Sequence, residues 1–156
     1  MAADTRHVDA TIRAFREADA AAVAEILRDS PEASQWTEWG FKELLGWRGV
    51  LALVSEGDRK VTGFLVGREV AGEAEILNLA VILAKRRRGE GAALLKAALE
   101  EWRARRVSRV FLEVRESNEA GIGFYEKHGL FKTGRRAGYY RDPEEAAIVM
   151  EMKLGG

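Results

Sequence analysis

The chain has 156 residues, 47% of them hydrophobic and 32% charged, which suits one globular domain with its own core and not a disordered polymer. Lys and Arg total 25, as do Asp and Glu, and a formal net charge of zero argues against a general nucleic-acid binder. Cysteine is absent, which excludes disulfides, thiolate nucleophiles and thiolate metal sites and fits the cytoplasm. The N-terminus has no signal-peptide core, and no stretch has the uninterrupted apolar length of a membrane span.

Residues 1–9, His7 among them, are polar and are expected to fray. Thr11, Ile12, Arg13, Ala14, Phe15 and Arg16 alternate as a short strand does. Asp19 stands where it can cap a helix with the apolar stripe Ala22, Val23, Ile26 and Leu27, and Pro31 marks its end. A second helical piece begins between Ser34 and Trp39, with Thr37 as candidate N-cap and Phe41, Leu44 and Leu45 on one face. Trp36 and Trp39 either line a substrate cleft or lock this helix onto a sheet. Residues 50–54 and 60–67 read as a hairpin, and residues 73–81 as the next strand after a turn at Ala71 and Gly72.

The strand runs through Leu77, Asn78, Leu79, Ala80 and Val81 towards the basic turn Arg86, Arg87, Arg88, Gly89, Glu90, Gly91. That turn opens directly into an apolar-periodic helix ending near Arg106. Gly89 and Gly91 allow a tight turn and close approach of a ligand, because neither has a Cβ. The first amide N–H groups of the helix are unpaired, with the positive end of its dipole behind them. The joint is therefore a cradle suited to a phosphate or pyrophosphate, the plain alternative being an ordinary strand–turn–helix with solvated arginines.

Residues 107–114 read as a strand, and the strand–helix–strand succession implies a right-handed crossover. Asn118 starts a helix carrying Ile122, Phe124 and Tyr125 that ends near Gly129. Residues 130–134 and 145–152 are closing strands. The order β-α-α-β-β-β-α-β-α-β-β predicts one α/β domain over residues 1–156, a mixed sheet with helices on its faces. His128 reads as a surface residue at a helix end, and no metal site is expected without an acidic or histidine cluster.

The run Arg86 to Gly91 resembles the Arg/Gln-x-x-Gly-x-Gly/Ala signature of the GNAT N-acetyltransferases. Leu112, Glu113, Val114, Arg115, Ser117 and Asn118, then Tyr125, Glu126 and Gly129, then Tyr139 and Tyr140, resemble the bacterial ribosomal-protein alanine branch of that superfamily. The resemblance implies a GNAT fold whose central sheet splays at the cofactor site, with helices on both faces. It implies acetyl-coenzyme A as cosubstrate and no metal. Leu79, Ala80 and Val81 would offer backbone groups to the pantetheine arm. Arg86, Arg87, Arg88, Gly89, Glu90, Gly91 and Ala92 would receive the pyrophosphate, with the acidic Glu90 side chain pointing outward. Asn118 would bond the cofactor, cap its helix, or both.

The same resemblance makes Glu113 the general base and Tyr125 the acid for the leaving thiolate. Their structural alternatives are a solvent-face glutamate and a core aromatic. A free N-terminal amine has a pKa of about 7.7–8.0, so a carboxylate must take its proton before it can attack a thioester. Glu73 and Glu75 would lie near enough to share that role. Trp36, Tyr139 and Tyr140 would wall the amine site. Where family members carry Arg-Arg-Asn-Tyr-Tyr, this chain has Arg135, Arg136, Ala137, Gly138, Tyr139 and Tyr140, and Leu83 and Ala84 stand where a proline is usual.

The implied reaction is direct acetyl transfer without an acyl-enzyme, to the N-terminal alanine of a small-subunit ribosomal protein. Alternatives are another protein N-terminus, a small-molecule amine, or a non-catalytic acyl-coenzyme A sensor. Direct nucleic-acid or membrane binding is not expected, and the protein is expected to be a monomer or weak dimer.

Overall fold

A computed structural model describes residues 10–31, 33, 35–82, 86 and 89–155. The expectations for His7 and its tail, for Ser34, for Leu83 and Ala84, and for Arg87 and Arg88 lie outside those residues. The strands are β1 (Thr11–Ala14), β2 (Val50–Gly57), β3 (Lys60–Val70), β4 (Glu73–Val81), β5 (Arg109–Arg115), β6 (Phe131–Tyr140) and β7 (Glu145–Lys153). The helices are α1 (Ala20–Arg28), α2 (Glu38–Leu44), α3 (Glu90–Ala104) and α4 (Glu119–Lys127), with a 3₁₀ turn at Glu17–Asp19. The strands join in one sheet in the order β1-β2-β3-β4-β5-β7-β6. Among these neighbours β4 and β5 are parallel and the others antiparallel.

Two apolar clusters cover the two faces. On one, α3 buries Leu94, Leu95, Ala98, Leu99 and Trp102 against Ile76, Val110, Leu112 and Met150, with Ile122 of α4 joining them. Those α3 positions recur with helical spacing, so they form a single stripe, and each large side chain buried contributes roughly 1.5–3 kcal/mol. On the other face, Val23, Ile26 and Leu27 of α1 and Phe41 and Leu44 of α2 pack on Val54, Phe64, Val66 and Ala80. Thr37 caps α2 as expected, its hydroxyl accepting from Gly40 N at 3.0 Å.

Two elements depart from the sequence expectation. Asp19 occupies the N-cap position of α1 but makes no capping bond there. The preceding 3₁₀ turn folds it back towards β1, where its carboxylate accepts from Arg16 N at 2.8 Å and from the Arg13 guanidinium at 2.9 Å. Arg13, first among these partners, holds the Asp19 carboxyl below the usual range. The other departure is β6, which continues to Tyr140 well beyond the short strand expected to end at Gly134. Its residues are exposed from Phe131 to Tyr139, so no apolar alternation marks it, and pairing with β7 extends it instead.

Gly67 is where α3 comes closest to the sheet. A Cβ there would fall 2.5 Å from Cζ2 of Trp102 and 2.9 Å from the carbonyl oxygen of Glu75. Trp102 is fully buried and Glu75 ends the parallel pairing of β4, so neither neighbour can move without disturbing the sheet. Gly67→Ala is therefore expected to destabilise the fold by about 1–3 kcal/mol, the range for overpacking. Urea unfolding of the variant and the wild type measures it, and equal midpoints would show that the contact yields freely.

Candidate active site

The parallel pairing of β4 with β5 stops almost as soon as it begins. Glu73 pairs with Arg109, Ala74 with Val110 and Glu75 with Phe111, and no later pairs follow. The cause lies on the other edge of β4. Val66 of β3 pairs with Asn78 and Gly67 with Ile76, so Leu77 is an extra residue in the ladder. Such a bulge bends its strand, and this one bends β4 just beyond its last partner on β5. β4 stays paired with β3, and β5 with β7, so each strand is held from behind while the two diverge.

A cleft of about 1730 Å³ fills the gap. Its walls are Ile76 to Val81 on β4 and Leu112 to Arg115 on β5, which include the predicted Leu79, Ala80, Val81 and Glu113. Arg86, Gly89, Gly91 and Ala92 stand at one end, and Tyr139 and Tyr140 belong to the lining as well. Asn118 and Tyr125 line it from the α4 side. Among the described residues, β4 has no partner on β5 beyond Glu75, which leaves room for a ligand to lie along that edge.

The glycine turn has the conformation its residues suggest. Gly89 is the N-cap of α3 with φ 88°, in the left-handed region that favours glycine, and it caps with no side chain. A Cβ at Gly91 would meet the Phe124 ring at 3.5 Å. Two side chains of the turn behave differently from expectation. The Arg86 guanidinium folds back, with Nε donating to the Val81 carbonyl at 2.9 Å and Nη2 to Ser30 Oγ at 2.8 Å and the Asp29 carbonyl at 3.1 Å. It joins the end of β4 to the end of α1. Glu90 does leave the loop, as a carboxylate beside an anion site must, but it turns into the protein and not to solvent. Its Oε1 accepts from Ser55 Oγ at 2.9 Å and from Thr62 Oγ1 at 2.6 Å.

Glu113 sits on β5 between the buried Leu112 and Val114, on the opposite face of the strand. Its Oε2 accepts from Nη1 of Arg136 at 2.6 Å, and its side chain is only 13% exposed. Arg136 in turn lies over the Tyr139 ring, 4.4 Å from the centroid. The neighbouring Glu113 carboxylate is the main reason the Tyr139 phenol titrates above its usual range, with burial adding to it. Glu75 faces the same cluster. Burial is the larger cause raising its pKa and the charge of Glu113 the next, while Arg136 pulls the other way. Burial holds the Tyr140 phenol up to about 12, with Glu113 contributing, and burial likewise raises that of Tyr125.

Asn118 caps α4, its Oδ1 accepting from Gly121 N at 2.9 Å, and it also lines the cleft. Glu73 and Trp36 are not brought to it. Glu73 is paired with Arg109 at 2.9 Å on the far side of the last strand pair, and Trp36 packs edge-on against Phe41 with centroids 5.2 Å apart. The contact of Arg136 with Glu113, a residue of the cleft wall, is one that reading the sequence missed. Its signal was the Arg135–Arg136 pair, but the reach of a side chain across β7 to β5 cannot be seen from spacing. Among the described residues, no group of three or more His, Cys, Asp or Glu is placed to hold a metal, and no helix is long and apolar enough to cross a membrane.

Residues 20–130 match the model of the acetyltransferase (GNAT) family. The [ribosomal protein bS18]-alanine N-acetyltransferase of Escherichia coli (strain K12) is 34% identical over 124 residues, covering 78% of this chain and 83% of the relative. The crystal structure of the ribosomal-protein-S18-alanine N-acetyltransferase from Escherichia coli superposes with a TM-score of 0.81 at 30% identity, covering 94% of this chain and 95% of that one. That of Ard1 from Thermoplasma volcanium gives a TM-score of 0.86 at 33% identity, over 96% and 100% of the two chains.

Arg136 opposes both causes that raise the pKa of Glu75. Arg136→Met removes its charge and leaves two carboxylates facing each other, so the Glu75 midpoint should move further up as the pair titrates together. A carboxyl-carbon NMR titration of the two proteins reads this directly. An unchanged Glu75 midpoint would show that the guanidinium charge is not felt there.

Proposed function

The chain belongs to the acetyltransferase (GNAT) family, and from that premise we propose that its cleft binds acetyl-coenzyme A and that the acetyl group passes to the N-terminal alanine of a small-subunit ribosomal protein. The observation that carries the reading is the split between β4 and β5, which opens at its far end onto the N-terminus of α3. An extended chain bearing amides fits along the edge of β4, and a diphosphate fits at the glycine turn. The match of the E. coli relative supports the choice of acceptor.

Acetyl-coenzyme A would supply the acetyl group already activated as a thioester. Leu79, Ala80 and Val81 would bond the pantetheine arm through their backbone. Gly89, Glu90, Gly91 and Ala92 would hold the diphosphate with the unpaired N–H groups at the start of α3, and Asn118 would contact the arm from α4. Tyr139 and Tyr140 would wall the amine end, next to Glu75 and Glu113. Bringing amine and thioester together in this way can remove about 7–11 kcal/mol of barrier.

Glu113 would take the proton from the substrate ammonium, directly or through one water. The freed nitrogen lone pair then forms the new C–N bond to the carbonyl carbon as the C–S bond breaks. Tyr125 would give its hydroxyl proton to the departing sulfur and be reprotonated by the second proton, which the nitrogen sheds as it becomes an amide. Burial raises its pKa, so the phenol is a weak acid that keeps its proton until negative charge develops on the sulfur beside it. No covalent acyl-enzyme is needed, and the chain has no cysteine to form one.

A second reading, acetylation of a different protein N-terminus or a small amine, is favoured by one feature. Ala137, Gly138 and Tyr139 lie in an irregularity of β6, between the Arg136–Ala147 and Tyr140–Glu145 pairs, and Ala137 and Gly138 place no large side chain there. Mass spectrometry of ribosomal proteins, alanine-starting peptides and free amines after incubation with acetyl-coenzyme A decides between these acceptors. Transfer to none of them would favour an acyl-coenzyme A sensor.

Glu113→Gln keeps the shape of the side chain but cannot accept the ammonium proton. Its kcat/KM with an alanine-starting peptide should fall about a hundredfold at neutral pH. It should recover in part in alkaline buffer, where the amine loses its proton unaided. Overlying pH profiles would remove Glu113 as the base and make Glu75 the next carboxylate to test. Tyr125→Phe keeps the ring and should lower kcat at saturating acetyl-coenzyme A far more than it weakens coenzyme A binding. Wild-type turnover would leave Tyr125 as a packing residue.

A further inference from the structure

Glu90 is 4% exposed, a rare condition for a glutamate at the first turn of a helix, and the reaction above gives its side chain no task. Its carboxylate is held by Ser55 on β2 and Thr62 on β3, both buried as well. The sheet is shaped to present these hydroxyls. Ser55 pairs with Gly63 and Glu56 with Val61, so Thr62 is the extra residue of a bulge, which re-aims its side chain. The two hydroxyl oxygens lie 3.3 Å apart. Gly63 leaves them room, since a Cβ there would fall 2.8 Å from Ser55 Oγ and 3.1 Å from the Ala80 carbonyl.

Thr62 touches both ends of the turn that joins β4 to α3. Its carbonyl accepts from Ile82 N at 2.8 Å, where the chain leaves β4. Its hydroxyl donates to Glu90 at 2.6 Å, where α3 begins. One residue of the neighbouring strand thus sets how far the start of α3 lies from the end of β4. A diphosphate bound at Gly89 to Gly91 while its pantetheine arm lies along β4 would need that distance held.

We infer that Glu90, gripped by Ser55 and Thr62, is a positioning residue that presets the N-terminus of α3 for the diphosphate of coenzyme A. The inference rests on the acetyl-coenzyme A reading above. Glu90 touches no reacting atom. It acts through the backbone N–H groups that follow it, and burial keeps its own oxygens away from the phosphates they would otherwise repel.

The test compares two thioesters in Glu90→Leu, Thr62→Val and Glu90→Gln. Acetyl-coenzyme A carries the diphosphate, and S-acetylpantetheine has the same thioester without it. Glu90→Leu and Thr62→Val should lower kcat/KM for acetyl-coenzyme A about tenfold or more. With S-acetylpantetheine they should stay within about twofold of wild type, because its binding does not use the helix end. Glu90→Gln, whose amide oxygen can accept the same two bonds, should restore most of the acetyl-coenzyme A value. Calorimetric Kd values for coenzyme A should follow the same order without an acceptor amine. If Glu90→Leu fails to fold, Thr62→Val still carries the comparison. Equal losses with both thioesters, or none with either, would overturn the inference alone. A wild-type protein that binds no coenzyme A would overturn the acetyl-coenzyme A reading and this inference with it.

Discussion

Backbone hydrogen bonding between adjacent strands normally continues until one strand ends, because an unpaired N–H or C=O shielded from water costs about 1–3 kcal/mol. Here it stops after Glu75 and Phe111 while both strands run on. That interruption is tolerable because β3 and β7 secure the outer edges of the two diverging strands. Leu77 supplies the bend, and the cluster under the split, from Ile76 through Leu95 to Leu112, keeps the strands in one body. A ligand with amides lying in the cleft would continue the ladder that stops at Glu75 and Phe111.

The second constraint is electrostatic. Glu75 and Glu113 face one region from two strands, and burial followed by the charge of Glu113 raises the pKa of Glu75. Arg136 relieves this from β6 by its charge and by its hydrogen bond to Glu113. An incoming ammonium would meet the same carboxylates. The glycine-turn end of the cleft has the opposite character, with a helix dipole and glycine backbone, and the Glu90 carboxylate there is turned inward to Ser55 and Thr62. Opposite charges at opposite ends would orient a substrate pair, if the cleft binds one as proposed, before any bond forms.

Much of this could be read along the chain. The apolar stripe of α3, the Thr37 cap, the β2–β3 hairpin and the glycine turn are local patterns, and each appears where residue spacing put it. The strand position of Glu113 follows in the same way, since alternation along β5 separates it from Leu112 and Val114. Asp19 shows the limit even for a local device. Its capping position was legible, yet a guanidinium six residues earlier holds its carboxylate instead.

What the sequence determined by itself was the order of elements, their apolar faces and the glycine turn that opens α3, because those depend on neighbours within a few residues. The tertiary structure decided where side chains at irregular positions point. Glu90 turns inward because Ser55 and a bulged Thr62 wait for it, Arg86 folds back onto the end of α1, and Arg136 crosses β7 to reach Glu113. Glu73 and Trp36 are held away from the cleft by Arg109 and Phe41 for the same kind of reason. Apart from that of Trp36, whose partner Phe41 is five residues on, these directions are set by strand register or by a partner distant in sequence. One extra residue in a ladder reverses a side chain without leaving any mark in the composition around it.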